Sequence, residues 1–213
     1  GGAGTFSDGK LNTLVKDKFG RNHEVLRIFA EHGAPESITY ESKPHIGTDV
    51  LSAVVKEMRK YICAHGGEVR FHSQVTDIQT HSDNGQKILR KLKIYDSQKK
   101  ETYLLDTDLA VFAIGHSARD TFSMLYHHGL PMQPKAFAVG VRIEHPQEMI
   151  NQDQYGKNYP SFLPAAPYKL TANLDNGRGV YTFCMCPGGY VVNASSEEHR
   201  LAVNGMSYSR RDS

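Results

Sequence analysis

The stretch DLAVFAIGHSARDTF (108–122) decides how this chain is read. Asp108 to Ile114 is apolar on both faces, the composition expected of a central parallel strand. Helical spacing resumes at about Arg119 and runs to His128, where Gly129 closes it. Between them lies the tight turn Gly115-His116-Ser117. A strand, a turn around a serine and a helix also outline a nucleophile elbow, G-x-S-x-G. Either Ser117 is a nucleophile, or the turn serves another purpose.

The elbow needs small residues two positions to each side of its serine, because the nucleophile backbone is strained and crowded. Gly115 meets that need, and Arg119 does not. Ala64-His65-Gly66-Gly67 resembles an oxyanion segment, but it ends a helix, where paired glycine is ordinary termination. Asp153 or Asp175, then His199, supply triad partners in a workable order. With 11 histidines in the chain that order carries little weight. Ser117 is therefore expected to cap the following helix, and a hydrolase ranks third among the readings.

Upstream of this stretch, Glu68–Phe71 alternates as a strand. A three-stranded antiparallel meander is expected next, from Val75–Thr80, Ile88–Tyr95 and Thr102–Leu105. Asn84-Gly85 supplies its first turn. Two helices precede it. One starts at Asn22, carries Val25, Leu26, Ile28 and Phe29, and ends at Gly33. The other starts at Thr48 or Asp49, carries Leu51, Val54, Val55, Met58, Tyr61 and Ile62, and ends at Gly66. Downstream come a strand at Ala136–Glu144, a short helix at Pro146–Asn151, a hairpin around Asp175-Asn176-Gly177, a strand at Tyr190–Asn193 and a helical turn at Glu197–Val203. The fold class expected is α/β, with α+β as the variant.

The chain has 213 residues, 39% hydrophobic and 23% charged, with a formal net charge of +2. These values fit a globular domain and give no basic surface for nucleic acid. No apolar run reaches membrane-spanning length. Three cysteines make no disulfide framework, so a reducing, cytoplasmic setting is expected. Gly1-Gly2-Ala3-Gly4 at the start and Ser209–Ser213 at the end read as cut edges, so a fragment is expected.

Five motifs in order carry a resemblance. They are GGAGTFSDGKL (1–11), KPHIGTD (43–49), AIGHSARDTF (113–122), FAVGVRIEHPQ (137–147) and CMCPGGYVVNASSEEHRLAVNGMSYSRRDS (184–213). Together they resemble the family of uncharacterised FAD-dependent dehydrogenases, flavoproteins with two dinucleotide-binding domains. The meander followed by a buried strand ending at Ala113-Ile114-Gly115 is similar to the order in that fold. The resemblance implies a partial FAD-binding sheet plus a substrate-domain sheet. It implies an arm at 1–21, an incomplete FAD-binding part at 22–135 with its meander at 75–105, and a substrate-domain part at 136–213.

It further implies FAD, with NAD(P)H as electron donor and a small-molecule substrate, and no nucleic-acid or membrane partner. The family's G-x-G-x-x-G unit and its C-terminal segment are absent here, so the isolated chain is expected to be inactive. Gly2, Gly4, Thr5, Phe6 and Ser7 would lie along the cofactor, and Val75 would contact adenine. Ala113, Gly115 and His116 would border the flavin dinucleotide, and Lys10 would face its pyrimidine side. A non-catalytic binding or regulatory module is the second reading.

Three further residues stand out on their own chemistry. His45, in a Pro-bounded loop before a helix, can bind an anion, donate a proton or cap. Cys184 and Cys186 share one face if the segment is extended. Cys186 ends at the Pro187-Gly188-Gly189 turn, where a reactive thiol could sit. C-x-C lacks the spacing of C-x-x-C, and no second cysteine pair completes a zinc site, so no metal is expected. Arg142 and Glu144 are expected to face solvent.

Overall fold

The computed structural model describes residues 9–11 and 16–212. The strongest helical pattern gives the longest helix, and it organises the main core. We label the helices α1 (Arg21–Glu31), α2 (Thr48–Ala64), α3 (Arg119–His127) and α4 (Gln147–Tyr155), with a 3-10 turn at Glu36–Thr39. Leu51 and Val54 recur at helical spacing on α2 and are buried with Ala34, Ile38 and Ile46. Leu26 and Phe29 of α1 pack against them. Fully burying each such large side chain stabilises by about 1.5–3 kcal/mol.

Asn22 does not start α1. The Asp17 carboxylate accepts the amides of Arg21 (2.9 Å) and Asn22 (2.7 Å), so the orphan donors are satisfied from upstream.

The meander forms as expected, from β1 (Ser73–Asp83), β2 (Gln86–Asp96) and β3 (Glu101–Asp106), antiparallel in that order. Asn84 and Gly85 both have positive φ, as a two-residue type I′ turn requires. Ile78 pairs with Leu92 and Ile94 with Tyr103. The α3 helix is pinned to β1 at both ends. Gln74 Nε2 donates to Asp120 Oδ2 in the first turn (2.6 Å), and His128 Nε2 lies 2.6 Å from Asp77 Oδ1. Two small antiparallel hairpins follow, β4 (Thr171–Asn173) with β5 (Gly179–Tyr181), and β6 (Tyr190–Asn193) with β7 (Val203–Met206). The chain is thus an α and β mixture built around an antiparallel meander. No helix among the described residues is long and apolar enough to cross a membrane.

Two compact units are present. One is Gly66–Val139, with the meander and α3. The other joins the residues up to His65 to those from Gly140, so α1 and α2 group with the C-terminal segment.

Several expected elements do not form. Glu68–Phe71, Asp108–Ile114 and Ala136–Glu144 enter none of the sheets formed by the described residues. Val111 is 86% exposed and Val141 87%. The reason is topological. Hairpin strands find a neighbour a few residues away, whereas a parallel strand needs one delivered by a long crossover. Among the described residues no such neighbour reaches these runs. Glu197–Val203 is not a helical turn either. Ala194 N–H donates to Ala202 O (2.9 Å), which extends the β6–β7 ladder past the strand ends.

Candidate functional site

The unit containing α2 gathers segments far apart in sequence. Residues 9–11 run antiparallel to 44–46: Leu11 N–H donates to Pro44 O and Ile46 N–H to Gly9 O, both at 3.0 Å. This sets Lys10 opposite His45. Lys10 Nζ donates to the Met185 carbonyl. His45 Nε2 lies 3.1 Å from Oγ of Ser207, which is fully buried. Ser209 donates its amide (3.0 Å) and its hydroxyl (2.7 Å) to the Asp49 carboxylate at the start of α2. Burial alone would raise the Asp49 carboxyl, but the Ser209 bonds and the amide of Val50 hold it below the usual carboxylate range.

The C-x-C segment joins the same assembly. Gly189 N–H donates to Cys186 O (3.1 Å), closing the turn after the second thiol. Cys184 Sγ and Cys186 Sγ are 3.9 Å apart, and both side chains are half-buried. Arg142 and Glu144 do not simply face solvent. Arg142 Nη1 donates to Cys184 O (2.7 Å), and Glu144 Oε1 accepts the Val191 amide (3.0 Å). Gln147 Oε1 accepts the Gly188 amide at 2.9 Å.

Gly205 of β7 backs the pair. A Cβ there would collide with Cys186 Sγ, and it would stand 3.5 Å from Arg142 Nη1. The thiol of Cys184 is pulled down to about 5, first by the hydrogen bond from Cys186. The positive charges of Lys10 and Arg142 add to this, against the opposing effect of burial. Cys63, on α2, is exposed.

The other unit holds the remaining predicted contacts. Val75 lies half-buried on β1, opposite Ile94. Ala113, Gly115 and His116 are exposed in the turn before α3. Gly115 has φ +69°, and a Cβ built on it meets nothing within 4 Å. The Gln74–Asp120 bond ties the strand residue beside Val75 to the helix that follows this turn.

Ser117 does not cap α3 with its side chain. The cap position is Ala118, and Ser117 gives only its backbone carbonyl to Arg119 N–H (2.9 Å). No described imidazole is bonded to the Ser117 hydroxyl. Gly2, Gly4, Thr5, Phe6 and Ser7 lie outside the described residues.

The structure therefore brings Lys10, His45 and Cys186 into one cluster, while Val75 on β1 and the exposed Gly115 turn lie in the other unit. Sequence reasoning missed Arg142, Ser207 and the part played by Cys184. Only the i, i+2 spacing of the cysteines hinted at the last. Two open depressions, of about 400 and 510 Å³, are lined by residues of α1, α2 and their flanks and hold none of these side chains. No group of three or more potential metal ligands occurs among the described residues.

Residues 136–213 match the family model described as "FAD-dependent protein, C-terminal domain-like". Over its whole length the chain is 52% identical to an uncharacterised protein of Clostridium beijerinckii (strain ATCC 51743 / NCIMB 8052). The chain spans 38% of the length of that relative. The family match takes in Arg142, Cys184, Cys186, Gly205 and Ser207, and it supports an FAD-dependent protein.

Proposed function

We propose that these residues are part of an FAD-dependent oxidoreductase of the dehydrogenase type, acting on a small molecule in the cytoplasm. The observation that carries this reading is the match of residues 136–213 to an FAD-dependent protein. When bound, FAD would supply two-electron transfer, with the protein contributing orientation and charge.

The residues present fit such a group at the Gly115 turn. Its left-handed backbone and open surroundings leave room for a planar ring or a phosphate to approach the main chain. Val75, Ala113, Gly115 and His116 would hold the cofactor. In the other cluster we assign three roles. Lys10 supplies positive charge, His45 moves a proton with Ser207 as its partner, and Cys186 serves as a thiol at the reacting side.

In domain terms, 1–21 is the arm, 22–135 the cofactor part and 136–213 the substrate part. NAD(P)H as electron donor is an expectation from the resemblance alone, and neither the family match nor a described residue supports it. The 213 residues alone are proposed to be inactive.

A visible absorption spectrum of the full-length protein tests the reading, followed by anaerobic addition of NADH or NADPH. Flavin bands are expected in the purified protein, and bleaching by either nucleotide would identify the donor. A colourless protein that takes up no added FAD contradicts the proposal.

A further inference from the structure

We propose that Cys184 and Cys186 are a redox dithiol that reduces low-molecular-weight disulfides bearing carboxylates, with Cys184 attacking and Cys186 resolving. The inference does not rest on the flavin reading, because no electron in it comes from a flavin.

Three features of the structure carry it. The two sulfurs already touch, at 3.9 Å, within about 2 Å of the length of a disulfide. The roles differ by surroundings. Arg142 bonds to the carbonyl of Cys184, whereas Cys186 is backed by the bare Gly205 position of β7. Two cations from separate segments flank the thiols, Lys10 on the Met185 carbonyl and Arg142 on the Cys184 carbonyl, which suits an anionic disulfide and the thiolate it expels. The lowered Cys184 thiol agrees with this, since the thiolate is the attacking species. Half-burial admits a small disulfide.

The exchange balances. The Cys184 thiolate attacks one sulfur of R–S–S–R, the S–S bond breaks, and R–S⁻ leaves and takes a proton from water. Cys186 loses its proton to water and attacks Cys184 Sγ, forming the internal disulfide and expelling the second R–S⁻, which is protonated in turn. Counted from the thiolate form, the pair loses two electrons and one proton, and the substrate disulfide gains two electrons and two protons, the second from water, to become two thiols.

The test is a single turnover of the reduced full-length protein with oxidised glutathione, quenched with acid, digested with trypsin and read by mass. The wild-type peptide Gly179–Arg200 is expected to lose two hydrogens. Cys186→Ser is expected to trap glutathione on Cys184, and Cys184→Ser to do neither. Cys63, in the peptide Tyr61–Arg70, is the reference thiol within the same molecule. At about pH 6 the Cys184 reaction is expected to outrun that of Cys63 by about 10-fold, because a low-pKa thiol keeps its thiolate there at some loss of nucleophilicity. The groups that set this profile are Lys10, Arg142 and Cys186.

Neutral hydroxyethyl disulfide is expected to react more slowly than oxidised glutathione. Equal rates would overturn the carboxylate preference. If the serine variants fail to fold, the wild-type peptide masses decide alone. An unchanged 179–200 peptide alongside glutathionylated Cys63 overturns the proposal, as does glutathione trapped at Cys186 instead of Cys184.

Discussion

The cluster around Cys184 and the turn at Gly115 are built on opposite principles. In the cluster every segment is held by another part of the protein: 9–11 by 44–46, the C-x-C carbonyls by Lys10 and Arg142, and Asp49 by Ser209. Its bare position, Gly205, is bare because a sulfur fills the space beside it. At Gly115 the left-handed backbone stands in open space, with nothing for a side chain to meet. The same residue type thus marks close packing in one place and an unoccupied approach in the other. The difference separates a cluster fixed by its own protein neighbours from an exposed turn with open space around its backbone.

Substitution of the two glycines should break the comparison most clearly. Gly205→Val forces carbon into Cys186 Sγ and should lower stability by about 3 kcal/mol in urea unfolding. Gly115→Ala meets no neighbour and adds only the cost of a left-handed backbone, about 1 kcal/mol. Equal losses would mean that the two positions do not differ as described.

Asp49→Asn should cost about 0.5 kcal/mol at neutral pH, discounted for its exposure to solvent. The sign follows from a carboxyl held low in the folded state. Its contribution is fully present above the ordinary carboxylate range and is lost as pH falls through the lowered value. Wild type and variant should therefore converge in acid, and a gap that persists there would point to a packing effect instead. Ser117→Ala should change stability by no more than roughly 0.5 kcal/mol, since its hydroxyl caps nothing. Turnover should be retained in that variant, and a thousand-fold loss would restore the hydrolase.

The elements legible in the sequence were those whose partners lie close by. The α2 stripe and the meander needed only helical spacing and a two-residue turn, and both appear with nearly the expected bounds. Asp108–Ile114 has the composition of a buried strand, but composition does not deliver a neighbour, and the run enters none of the sheets formed by the described residues. The site was legible in part. Lys10, His45 and Cys186 stood out as chemistry-bearing residues, yet no spacing rule reveals that Lys10 pairs with His45 and reaches Met185, or that Gly205 and Ser207 back Cys186 and His45. Arg142 failed for the same reason: alternation told which face it occupies, and only the fold shows that Cys184 O lies there. Ser117 misled because a serine before a helix usually caps it, whereas here Ala118 takes the cap position.

On the two proposals above, FAD binds at the Gly115 turn, and Cys184 takes no part in holding it. FAD titration of the full-length protein and two variants tests it most directly, with binding followed by flavin fluorescence. Gly115→Val should weaken FAD binding by about 10-fold or more, a loss of about 1.4 kcal/mol. Cys184→Ser should bind FAD as the wild type does. Unchanged FAD binding by Gly115→Val together with its loss in Cys184→Ser would place the cofactor away from the turn and contradict this assignment.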